Sequence, residues 1–205
     1  MEGVANDMTQ VQSDLALLCD IRGCQACSAS LALGPRPIVQ FSTSSRILII
    51  GQAPGARVHA SGIAWDDASG KRLRDWTGLA TDHFYDPEKV ALVPMGFCYP
   101  GTGPSGDLPP RPECAPLWHE RILALLPAHR LTLLVGTYAQ KHYLKQPKGQ
   151  TLTDTVRNFS ACGHDLFPLP HPSWRSGVWM QRNLWFEGEV LPILRARVEA
   201  ALREP

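Results

Sequence analysis

The chain carries almost no net charge: 20 Lys and Arg against 19 Asp and Glu leave +1 over 205 residues. Charge alone therefore gives no pointer to nucleic acid, and any basic surface has to be local. Long apolar runs are missing too, and nothing approaches the roughly 20 residues of a membrane-spanning helix. Residues 1–12 are polar and acidic, without the basic-then-apolar order of a secretory signal. A cytoplasmic, reducing location is expected, with residues 1–12 loosely ordered. There is no internal repeat and no low-complexity segment. The hydrophobic fraction of 44% is ordinary for a globular chain and argues against disorder. The length suits a single domain over residues 1–205.

What is present reads as alternating strands and helices. Residues 13–20 suggest a short helix. Arg46 to Ile50 is a compact aliphatic run closed by Gly51, the pattern of a buried strand. Residues 69–79 have helical spacing through Leu73, Trp76 and Leu79. A second strand is predicted over 89–93, an irregular Pro- and Gly-rich loop over 99–112, and a helix over 114–126. A third strand follows over 131–136, a helix over 137–144 and a fourth strand over 165–169. A last helix covers roughly 185–201, with Pro192 as its weak point. Strands separated by helices predict an α/β three-layer sandwich: a central, mainly parallel four-stranded sheet flanked by helices. In such sheets the working loops leave the C-terminal strand ends. Those loops start at Gly51, at Pro94 to Cys98, and at His171.

Of six cysteines, Cys24 and Cys27 form a Cys-Gln-Ala-Cys pair, and Cys98 and Cys114 lie far downstream. Two ligands on one turn plus two distant ones can wrap a chain around a tetrahedral thiolate centre, which zinc and iron–sulfur clusters select. In a reducing compartment this favours a metal site over disulfides; four unrelated buried cysteines are the alternative. Cys19, in an apolar run, is expected in the core. Cys162 has no obvious partner.

The Gly51-Gln52-Ala53-Pro54-Gly55 turn lacks the Gly-Lys-Ser/Thr end of a phosphate loop. Its backbone N–H groups could grip a carbonyl or an anion, or it could be a plain tight turn. His171 stands between Pro170 and Pro172, a stiff setting at a strand end from which an imidazole can donate to a developing oxyanion. Trp65 could stack a flat ligand or pack in the core. Asp66 and Asp67 could supply a water-orienting carboxylate or begin the helix at 69. His59 follows the Gly51 turn closely; the other histidines, apart from His171, read as mainly surface residues. Lys71, Arg72 and Arg74, with Arg175 and Arg182, could meet phosphates or simply face solvent.

Taken together, the cysteine pair, the Gly-x-Ala-Pro-Gly turn, the following aromatic, Cys98 and Cys114 around a Pro-rich loop, and His171-Pro172-Ser173 resemble the iron–sulfur uracil-DNA glycosylases of the family 4 type. The resemblance covers roughly residues 15–200. It implies that Cys24, Cys27, Cys98 and Cys114 hold a structural [4Fe–4S] cluster. It implies that Gly51, Gln52, Ala53 and Gly55 form the first substrate motif, with Gln52 where the family usually has Glu. Trp65 falls where the family stacks Phe on the extruded base, and His171 matches the residue that bonds uracil O2. Ser173 to Ser176, Arg175 included, matches the loop that enters the duplex. Two positions depart from the family pattern: Val58 stands near its usual acid, and Pro94 at its base-reading Asn. Asp66, Asp67 and His59 are the nearest replacements for the acid.

The resemblance implies a monofunctional, monomeric DNA glycosylase that flips out uracil or another deaminated base and hydrolyses its N-glycosidic bond, with catalytic candidates His171, Asp67, Asp66 and His59. The rivals are a catalytically impaired protein of the same fold that binds damaged or single-stranded DNA, and a zinc-stabilised α/β hydrolase unrelated to DNA.

Overall fold

A computed structural model describes residues 14–104 and 106–203. The N-terminal stretch expected to be loosely ordered, residues 1–12, lies outside them. Four strands form a wholly parallel sheet: β1 (Ile47–Ile50), β2 (Val90–Leu92), β5 (Leu131–Val135) and β6 (Leu166–Leu169), in the order β2-β1-β5-β6. A second sheet is a small antiparallel hairpin of β3 (Thr102–Gly103) and β4 (Gly106–Asp107).

Each central strand is buried throughout because both faces are covered, and only Thr132 of β5 is polar. Ile47 and Ile49 point into one core, with Leu73 and Trp76 of α3 (Ala68–Thr77) and Leu194 and Val198 of α9 (Leu191–Arg203). Leu48 and Ile50 point into the other, with Leu17 and Ile21 of α1 (residues 14–22), Trp118 and Ile122 of α5 (Cys114–Leu123), and Ala139 of α6 (Thr137–Tyr143). Strand alternation thus builds the helix–sheet–helix sandwich expected from the sequence. The edges are protected. Gln40 bridges to Leu92 and its side-chain amide donates to the Val90 carbonyl at 2.8 Å, covering β2. Pro168 is tolerated in β6 because that strand is the other edge.

Several local readings change. Cys19 is exposed rather than in the core, because Leu17 and Ile21, one helical turn apart, take the buried face of α1. His119 is buried, not a surface residue. The Pro- and Gly-rich segment is not wholly irregular, since it contains the β3–β4 hairpin. The last helix opens with a π-turn over Phe186–Val190 that runs directly into α9, and Pro192 is the second residue of α9, just past that turn. Short helices not read from the sequence are α2 (Ala56–Ser61), α4 (Thr81–Phe84), α7 (Leu152–Arg157) and α8 (Ser176–Arg182).

Candidate functional site

The strand order reverses direction between β1 and β5, which opens a crevice at their C-terminal ends. Four loops meet there. After β1, the Gly51 carbonyl accepts from the Met95 N–H at 2.9 Å and the Gln52 carbonyl from the Gly96 N–H at 3.0 Å, joining the turn to the segment after β2. After β5, Gly136 takes φ of 87°, a conformation costly for other residues, and a Cβ there would lie 3.4 Å from the Cβ of His171. His171 itself follows β6. The turn after β1 and the two loops after β5 and β6 are thereby set side by side.

Trp65 closes the floor of this crevice. A Cβ on Gly51 would come within 2.6 Å of Trp65 Cζ2, so only glycine leaves room for the indole. The indole faces the His171 imidazole, with ring centroids 6.0 Å apart. Trp65 has φ of 58°, a left-handed conformation rare for a bulky residue. It is held there by α3, whose Gly70 packs directly against the Trp65 carbonyl: a Cβ at Gly70 would lie 1.8 Å from that oxygen. Such strain persists only where the surroundings enforce it, and it concentrates at functional sites.

The His171 loop is clamped from α3. The Arg72 guanidinium donates to the Ser173 carbonyl and, at 3.0 Å, to Ser176 Oγ, which in turn donates to the Ser173 carbonyl at 2.6 Å. Arg72 is thus committed to the loop, and Arg74 packs over the Phe84 and Tyr85 rings. Beyond the clamp, Trp174 projects into solvent at 75% exposure, with the Arg175 guanidinium 5.2 Å from its ring.

Of the three candidates for the missing acid, Asp67 is the N-cap of α3, accepting from the Gly70 N–H at 2.7 Å. Asp66 is felt at Tyr85. His59 lies on α2, its ring 5.8 Å from Tyr99 and its Nδ1 buried without a hydrogen-bond partner. A carboxylate not singled out from the sequence also reaches the site. Asp107, at the solvent edge of the β3–β4 hairpin, brings Oδ2 within 3.2 Å of where a Gly55 Cβ would be. Desolvation and the nearby Asp67 lift its carboxyl above the usual range, while His171 and a hydrogen bond from the Thr102 side chain oppose that. Burial pushes His171 below the ordinary imidazole value, with Asp67 and Asp107 pulling the other way. His171 therefore stands neutral near pH 7, with an N–H to donate. The one sequence cue to the hairpin is Gly-Pro-Ser-Gly between Thr102 and Asp107, a turn composition.

Pro94 offers its carbonyl rather than a side chain. His119 Nε2 donates to that carbonyl at 3.0 Å, and its Nδ1 pairs with the Tyr143 hydroxyl at 2.6 Å. The Pro94–Cys98 segment is thus pinned from α5.

That segment leads away from the crevice to the cysteines. Cys24, Cys27, Cys98 and Cys114 line one small cavity of about 20 Å³, together with Phe97, Arg111 and Trp118. The Phe97 N–H donates to Cys114 Sγ at 3.3 Å, and the Arg36 backbone N–H to Cys98. Burial pushes the thiol of Cys98 up to about 11 and that of Cys114 up to about 12, and the other thiols of the set add to it. No group of three or more Cys, His, Asp or Glu among the described residues closes to single-ion geometry. Cys162 lies elsewhere, near Arg197. Residues 38–195 match the model of the uracil DNA glycosylase superfamily, and the chain, covered over most of its length, belongs to that superfamily.

Proposed function

We propose that the protein is a monofunctional DNA glycosylase that extrudes uracil, or a related deaminated base, and hydrolyses its N-glycosidic bond. The observation that carries this reading is the convergence of the Gly51–Gly55 turn, Trp65 and His171 at the switch point of a superfamily sheet. Extrusion costs a few kcal/mol, least for a mispaired base. Trp174 is exposed and sits on the clamped loop, where an apolar ring can fill the gap left in the stack. The base then lies against Trp65. As the bond breaks, negative charge grows on the base, and a neutral His171 donates to it from a position fixed by Pro170, Pro172 and Gly136. Holding that donor rigid avoids reorganisation at the moment of reaction. No lysine nucleophile is implied, so no lyase step follows.

The four-cysteine cavity is read as the seat of a [4Fe–4S] cluster. An all-thiol donor set suits iron–sulfur or zinc. Four thiols brought to one cavity from three separate segments support a shared thiolate centre. Bound there, the cluster supplies a structural cross-link between the end of α1, the loop after β2 and α5. The chemistry belongs to the crevice.

The test is single-turnover cleavage of oligonucleotides containing uracil, hypoxanthine or xanthine, single-stranded and in mismatched duplexes. Cleavage of at least one, lowered about 10²-fold or more by His171→Ala, is the expected result. Binding of damaged DNA with no cleavage of any substrate would leave the non-catalytic binder instead.

A further inference from the structure

We propose that Asp107 is the carboxylate that orients and deprotonates the attacking water, replacing the acid that the Gly51–Gly55 turn lacks. This assignment rests on the glycosylase reading above and goes one step further into its chemistry.

Position comes first. The β3–β4 hairpin folds over the turn after β1, so that the Asp107 carboxylate abuts Gly55, 3.2 Å from the place of a Cβ. Its charge acts on His171, as does that of Asp67, so the carboxylate and the base-holding imidazole share one crevice.

Presentation comes second. Thr102 stands directly across the hairpin from Asp107, with its hydroxyl near enough to favour the ionised carboxylate. The Thr102 hydroxyl is itself paired with the hydroxyl of Tyr99, and Tyr99 lies against His59. The Leu108 N–H, donating to the Gly101 carbonyl at 2.8 Å, closes the base of the hairpin. A chain of hydroxyls therefore fixes the carboxylate and leaves acceptor capacity unused.

Availability comes third. Asp67 spends one oxygen, Oδ1, on the Gly70 N–H in the first turn of α3. Among the described residues, the carboxylates in ion pairs are Asp20, Asp86, Glu113 and Glu199, and Asp107 is not one of them. A partly desolvated carboxylate beside another negative charge is also a stronger base than a free one.

The step balances. The C1′–N bond breaks and its electron pair leaves with the base, whose oxygen accepts from His171. A water oxygen bonds to C1′ and its proton passes to Asp107, which later returns it to solvent. The negative charge of Asp107 also offsets the cationic sugar in the transition state.

The experiment uses the full-length protein and whichever damaged oligonucleotide it cleaves. Asp107→Asn and Asp107→Ala are measured for single-turnover cleavage, for melting, and for binding to a duplex carrying a non-hydrolysable 2′-fluoro analogue. Cleavage should fall about 10²-fold or more, with analogue binding retained. Added formate should restore part of the rate in Asp107→Ala. Cleavage by Asp107→Asn at the parent rate overturns the assignment and leaves the glycosylase reading standing. A parent protein that cleaves nothing sinks both. If Asp107→Ala melts early, formate decides: restored turnover supports the role, and its absence overturns it.

Discussion

At the scale of single residues, packing at Gly70 decides the shape of the site. Alanine in a helix is normally favoured over glycine by roughly 0.5–1 kcal/mol. Here the sign reverses, because the added methyl would overlap the Trp65 carbonyl at 1.8 Å. Gly70→Ala should lose about 1–3 kcal/mol in chemical denaturation, the scale of an overpacked site, and should shift Trp65 away from His171. A gain in stability would refute the left-handed placement of Trp65. His119 makes a second residue-scale case. Burial holds it well below the ordinary imidazole range, at about 4, with His142 adding to this and the Pro94 carbonyl opposing it. The folded state therefore excludes a proton that the unfolded chain binds near 6.5. Stability should be intact above that value and fall as pH drops from 6.5 toward 4, by on the order of 3 kcal/mol at the acid end. His119→Gln keeps a donor for Pro94 and cannot titrate, so its denaturation midpoint should vary less over that window. An equal slope in both proteins would rule out His119 as the source.

At the scale of elements, the loop between β2 and α5 connects the crevice to the cysteine cavity, and its ligands should behave as a unit. If the proposed cluster is bound, the parent should purify brown with iron, and Cys98→Ala should lose both along with soluble yield, because a cross-link to α1 would go with it. Metal analysis of anaerobically prepared parent protein showing one zinc and no iron would overturn the cluster. The elements most legible in the sequence were those buried on both faces: Ile47 to Ile50 is a continuous apolar run and Leu131 to Val135 is broken only by Thr132, the pattern of a covered parallel sheet. His171 and the Gly51 turn could be read because both lie at the ends of such strands. The hairpin over Thr102 to Asp107 could not. Its strands are two residues each and carry no buried apolar side chain, so neither periodicity nor apolar content marks it. Asp107 was hidden with it. Asp67 drew notice because it adjoins Trp65 in sequence, and its Oδ1 also caps α3. Arg72, one of three basic residues on one helix, showed no sign in the sequence of reaching a loop a hundred positions away.

At the scale of the whole molecule, the net charge of +1 means that DNA affinity cannot come from a general positive field. No helix among the described residues is long and apolar enough to cross a membrane. Trp174 is 75% exposed and stacked by Arg175, on a loop that Arg72 and Ser176 hold in place. An indole kept in water by a fixed loop is poised to stack on bases, and stacking contributes about 1–3 kcal/mol per base. Trp174→Ala should therefore weaken binding to damaged duplex about 5- to 150-fold, nearly independently of salt. Arg175→Ala should act differently. If its guanidinium meets a phosphate, the slope of log affinity against log salt should shrink by about 1. Fluorescence anisotropy across a salt series separates the two effects, because stacking moves the intercept and a phosphate contact moves the slope. Unchanged affinity in Trp174→Ala at every salt concentration would mean that the loop does not enter the duplex, and extrusion would then have to be driven from the Trp65 side of the crevice.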